Sequence, residues 1–67
     1  MVNTDELKGK IAAKRMNQTK LAKVIGISGG TLTARLKKGV FQSDEIEKIV
    51  EALALSDADA IRIFFSR

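Results

Sequence analysis

The chain has 67 residues and a formal net charge of +4, and it contains no cysteine, histidine or proline. That length admits one small domain, residues 1–67, whose hydrophobic core is marginal for its size and has no disulfide or thiolate site to supplement it. The absence of histidine removes the commonest metal ligand and the commonest general base near neutral pH, which argues against a metal centre or a catalytic site.

The opening MVNTDELKGK lacks an apolar stretch long enough for a signal peptide, and no later run approaches a membrane span, so a soluble cytoplasmic protein is expected. A first helix begins at Asn3 or Thr4: Asn3 with Glu6 three residues on has capping-box spacing, and Val2 staples onto Leu7. Its inward residues are Leu7, Ile11 and Ala12. A second helix starts at Gln18 behind the cap Asn17, with Met16 and Leu21 at staple spacing and Leu21, Ala22 and Ile25 on one side. Gly26 falls where the helix ends and the backbone needs a positive φ. Ile27 is a buried turn residue. Ser28 caps a third helix, in which Leu32 and Leu36 stand at i, i+4 and leave the opposite side facing outward.

Beyond Gly39, Phe41 plugs the core between the third and fourth helices. The fourth helix starts at Ser43 as its cap, places Asp44 and Glu45 beside the positive end of the dipole, and buries Ile46, Ile49, Val50 and Leu53. A fifth starts at Ser56, with Asp59 three residues on, and buries some of Ala58, Ile61, Phe64 and Phe65. No segment shows a period-two alternation bounded by turn signals. The expected fold class is all-α, a compact bundle of five short helices around a central helix-turn-helix.

Charge follows this layout. Residues 1–42 hold Lys8, Lys10, Lys14, Arg15, Lys20, Lys23, Arg35, Lys37 and Lys38 against Asp5 and Glu6, with no acid between Lys8 and Ser43. Residues 43–67 hold Lys48, Arg62 and Arg67 against six acids. The half with the helix-turn-helix attracts a polyanion and the other half does not.

With Leu32 and Leu36 inward, a turn of about 100° per residue puts Gly30, Ala34, Lys37 and Lys38 on the far side of the third helix, flanked by Thr31 and Thr33. Ala34 suits a thymine methyl, and Thr31 or Thr33 a base edge or a phosphate. Lys37 reaches a guanine edge or a phosphate, whereas Lys38 suits a phosphate. Gly29 and Gly30, next to Ser28, let the backbone approach closely but specify no base through side chains. Asn17 and Gln18 stand at the start of the second helix, where capping and phosphate contact can coexist.

Gln18, Leu21-Ala22, Gly26-Ile27-Ser28, Leu32 and Gly39 together resemble the Cro and repressor type of helix-turn-helix regulator from phages and mobile elements of bacteria. The resemblance continues through SDEIEKIVEALALS and the closing Ile63-Phe64-Phe65, as in small phage-encoded members. It implies sequence-specific binding to double-stranded operator DNA, usually as a two-fold homodimer or on paired half-sites, with Asn17, Gln18 and the Ser28–Lys38 helix at the interface. Two departures stand out: Arg35 where the family often has an apolar residue, with that role moved to Leu36, and Gly29-Gly30 where relatives carry base-reading side chains.

Two other classes compete. A protein-interaction module on the same fold, antirepressor or antitoxin-like, would use Ile61, Phe64 and Phe65; an exposed patch of these residues favours it and their burial opposes it. An enzyme is disfavoured, because no nucleophile stands beside a base and no ligand set gathers. Neither a cofactor, a membrane nor a small-molecule substrate is expected.

Overall fold

The computed structural model describes residues 2–65. Five α-helices make up its regular structure, with no strand among the described residues: α1 (Thr4–Ala13), α2 (Gln18–Ile25), α3 (Gly29–Lys38), α4 (Ser43–Ala52) and α5 (Asp57–Phe64). Four of them start at a side-chain cap. Asn3, Asn17, Ser28 and Ser56 accept the amide three residues on, from Glu6, Lys20, Thr31 and Asp59, at 3.2, 2.8, 3.1 and 3.1 Å. Each bond satisfies one amide that the helix itself leaves free.

Two starts differ from the sequence expectation. Gln42, not Ser43, caps α4, because its N–H donates to Glu45 Oε1 at 2.9 Å and draws the chain in one residue earlier. At α1 the Glu6 carboxylate accepts from Arg62 Nε at 2.7 Å, so it serves α5 rather than the cap.

Four helix ends turn through the left-handed region. Gly26 and Gly39 do so at φ 79° and 72°, where glycine meets no Cβ clash, and Arg15 and Ala54 at 56° and 50°. After α1 the Met16 and Arg15 amides donate back to Ile11 and Ala12 at 3.1 and 2.9 Å; after α4 Leu55 and Ala54 donate to Val50 and Glu51 at 3.0 and 3.2 Å. These paired bonds close the last turns and satisfy carbonyls that would otherwise be left over.

Leu7, Leu21, Ile25, Leu32, Ile49, Leu53 and Ile63 are fully buried, so every helix supplies the core directly or through its cap. Helix α2 packs on both α3 and α4, and α1 on α5. Phe41 closes the core after α3, although its aromatic partner is Phe64 of α5. Ile27, Ile46 and Val50 are half-buried against the core.

Ala12 fails as an inward residue, and of the four candidates at α5 Phe64 alone is buried. Ala12 is exposed because the Leu7–Ile11 line takes the interior and Ala12 stands about 100° away from Ile11. In α5 the buried pair is Ile63 and Phe64, while Ala58, Ile61 and Phe65 are exposed. The roll of α5 is set by its neighbours. Asn3 N–H donates to the Ile63 carbonyl at 2.7 Å, Lys10 pairs with Asp59 at 3.3 Å, and Arg62 bridges Glu6 and Asp59, each at 2.7 Å. Close by, Val2 N–H donates to the Gly39 carbonyl at 3.1 Å, which ties the N-terminal segment to the end of α3.

Candidate nucleic-acid interface

The turn between α2 and α3 is made by Gly26, whose left-handed backbone redirects the chain, and by Ile27, whose N–H returns to the Ala22 carbonyl at 3.0 Å. Ala22 is 2% exposed at this corner, so the two helices meet over a side chain with no bulk to spare. Leu32 and Leu36 hold α3 down. The opposite face presents Gly29, Gly30, Thr33, Ala34, Lys37 and Lys38 to solvent, with Thr31 half-buried at its edge. The residues expected on the outward row therefore share one exposed surface. No neighbouring atom lies within 4 Å of a Cβ built on Gly29 or Gly30, so that end of α3 is open.

The hydroxyl pattern at the front of α3 is more specific than the sequence reading. Ser28 Oγ accepts the Thr31 amide and donates its own hydrogen to Thr31 Oγ1 at 2.8 Å. Thr31 Oγ1 is thereby used as an acceptor and its hydrogen is available to a phosphate or a base acceptor. Thr33 Oγ1 donates to the Gly29 carbonyl at 3.0 Å, which leaves it lone pairs to offer. The two threonines are thus a donor and an acceptor, respectively.

The starts of α2 and α3 each leave backbone amides free. The Asn17 side chain takes the Lys20 amide, and the Gln18 and Thr19 amides before it have no intrahelical acceptor. The amides of Gly29 and Gly30 stand in the same relation to the Ser28 cap. Both sets carry the partial positive charge of a helix N-terminus, the electrostatic setting that favours phosphate. Asn17 is exposed and Gln18 half-buried.

Ion pairing decides which cations are available. Lys10 is held by Asp59 and Arg35 by Glu45. Lys8, Lys14, Arg15, Lys20, Lys23, Lys37 and Lys38 are exposed and make no ion pair among the described residues. All seven lie in residues 1–42, where Asp5 and Glu6 are the acids; Lys48 is likewise exposed and unpaired among the described residues but stands among the acids of α4.

The Arg35–Glu45 contact is the feature that sequence reasoning missed. Arg35 Nε donates to Glu45 Oε1 at 3.0 Å, and Glu45 is only 4% exposed, the one buried charged residue among the described residues. The Arg35 hydrogen bond is the main cause holding the Glu45 carboxyl below its ordinary value; burial opposes it and the Gln42 amide adds to it. In return the carboxylate raises the Arg35 guanidinium. The available signal was Arg35 itself, a charge one residue away from the inward Leu36.

No described helix is long and apolar enough to cross a membrane. The Cro/C1-type HTH DNA-binding domain matches residues 6–65, from the first turn of α1 to the residue that caps α5. No curated protein and no solved structure matches the chain. The match spans both helices of the turn and the bundle that supports them, and the chain belongs to the Cro/C1-type helix-turn-helix family of DNA-binding domains.

Proposed function

We propose that this protein is a sequence-specific transcriptional regulator, Cro- or repressor-like and of phage or prophage origin, that inserts α3 into the major groove of an operator. The observation that carries the reading is the exposed face of α3. Gly30, Ala34, Lys37 and Lys38 lie across it, Thr31 and Thr33 flank them, and the open Gly29-Gly30 turn forms its leading end. A helix anchored by Leu32 and Leu36 and bare on the opposite side fits the groove. The free amides at Gln18 and Gly29 and the unpaired lysines supply phosphate contacts on either side. No cofactor or small-molecule substrate enters this reading, and the protein acts on cytoplasmic DNA.

Duplex titration at several salt concentrations tests it. If about five phosphates are neutralised, log K falls against log[salt] with a slope of about −4 to −5. Undetectable affinity at low salt, or affinity indifferent to salt, counts decisively against it.

The exposure of Ile61 and Phe65, at 61% and 65%, favours a protein contact as well. We assign that contact to a second copy of the chain, giving a homodimer on paired half-sites, because two-fold operators require one. An antirepressor or antitoxin-like module would use the same patch without DNA. Sedimentation of the protein alone and with a selected duplex separates the two, since only the regulator yields a two-to-one complex.

A further inference from the structure

Leu32 and Leu36 hold α3 along one line, and contacts on a single line leave a helix able to roll about it. Helix α3 packs chiefly on α2, with much less contact to α4. Arg35 lies to one side of that line, about 60–100° around the helix from the two leucines. There its Nε meets Glu45 Oε1 at 3.0 Å, and the same oxygen takes the Gln42 amide at 2.9 Å. Glu45 is buried in the first turn of α4 and cannot follow if α3 turns. The pair is a lateral tether between α3 and α4, set to one side of the Leu32–Leu36 line.

Roll matters for reading bases. With side-chain tips about 6 Å from the helix axis, a roll of about 10° moves Ala34 and Lys37 by about 1 Å. The useful range of an N–H···O bond is only about 0.5 Å wide. A small rotation thus spoils a base contact, while flexible lysines still reach phosphates.

We propose that Glu45, acting through Arg35, is a positioning residue for sequence discrimination: it fixes the roll of α3 and thereby which side-chain atoms face the base edges. The inference rests on the reading of the chain as a sequence-specific DNA binder and names a determinant of that specificity outside the exposed face.

The test compares two probes at one salt concentration. One is a duplex selected from a random library by the wild-type protein; the other is a random-sequence duplex of equal length. Glu45→Gln keeps the size and an acceptor for the Gln42 amide but loses the charge that holds Arg35. It should lower affinity for the selected duplex by about ten-fold, the worth of one base contact, and leave affinity for the random duplex within about two-fold. Arg35→Lys keeps the charge and loses the planar guanidinium, and should lower the same ratio by several-fold.

An unchanged ratio in both variants, or a parallel fall on both probes, overturns the proposal, since a purely structural tether acts through the folded fraction alone. If Glu45→Gln does not fold, Arg35→Lys decides, and a wild-type ratio there overturns it. If the wild-type protein selects no sequence, the reading of the chain as a sequence-specific binder fails and this inference fails with it. If it does select one, the variants judge the tether alone.

Discussion

The ring of Phe41 meets that of Phe64 edge to face, with centroids 6.0 Å apart and planes at 82°. One ring belongs to the loop that leaves α3 and the other to the last turn of α5, so the contact joins the end of α3 to the closing helix. The geometry places the positive edge of one ring against the negative face of the other. Phe41→Leu should therefore cost more than its small volume change, about 1–1.5 kcal/mol, and lower Tm by several degrees. A double-mutant cycle with Phe64→Leu should return a coupling of about 0.5–1.5 kcal/mol. Additive losses in urea unfolding would show that the rings merely share the core.

The Arg35–Glu45 pair makes stability depend on acid. Glu45 titrates below its ordinary 4.5 in the folded chain, so its contribution is complete above that value and is lost as pH falls through the lower folded one. Asp59 behaves alike from 3.8, held down first by Arg62 and then by Lys10. Near neutral pH, Glu45→Gln should cost about 1–2 kcal/mol, the worth of a hydrogen bond to a charged group. In acid, below 4.5 and on through the lower folded value, the gap between variant and wild type should close. Urea midpoints near neutral pH and in acid measure it; a constant gap would mean that the charge of Glu45 is irrelevant to the fold.

Lys37→Ala should weaken operator binding by about 1–3 kcal/mol and relax preference at one position if Lys37 reads a base. A phosphate contact would instead give an equal loss on every sequence. Ala34→Glu places a carboxylate at the centre of the exposed face and should abolish binding without unfolding the domain. Unchanged affinity in that variant, with its helical circular dichroism intact, would mean that another element reads the DNA.

Gly9 and Gly30 separate stability from contact. Both lie in helices, and a Cβ on either meets nothing within 4 Å. Gly→Ala at each should stabilise the free protein by about 0.4–1 kcal/mol, through the lower entropy of the unfolded chain. Gly9 lies on α1, away from the α3 face, so its variant should bind DNA as the wild type does. If the α3 backbone approaches the duplex closely at Gly30, the added methyl of Gly30→Ala should weaken binding despite the gain. Tighter binding by Gly30→Ala would show that the glycine pair is tolerated rather than used.

What the sequence discloses here is set by the range of each interaction. The caps at Asn3, Asn17, Ser28 and Ser56 are legible because donor and acceptor stand three residues apart. Gly26 and Gly39 announce their left-handed turns, whereas Arg15 and Ala54 make the same turn with a Cβ in place and give no compositional sign. The inward face of α5 is illegible because Ala58, Ala60, Ile61, Ile63, Phe64 and Phe65 are apolar nearly all round, and the choice falls to Asn3 and to ion pairs from α1. The burial of Glu45 depends on Arg35, ten residues back and on another helix. The outward row of α3 was legible from two leucines, but the division of Thr31 and Thr33 into donor and acceptor needed their hydroxyl partners.

The bonds from Val2 to Gly39 and from Asn3 to Ile63 bear on the order in which the chain acquires its shape. Both donors precede their acceptors in the chain, and Glu6 precedes Arg62 by 56 residues. Before those acceptors are in place, the Val2 and Asn3 amides are solvated rather than shared. The turn pair α2–α3 and its support α4 are consecutive and can associate meanwhile through local contacts. The clasp that ties α1 to α5 closes a loop of 56 residues and more, at an entropic cost that the consecutive helices do not bear, and the Val2 bond carries that closure to the carbonyl at the end of α3.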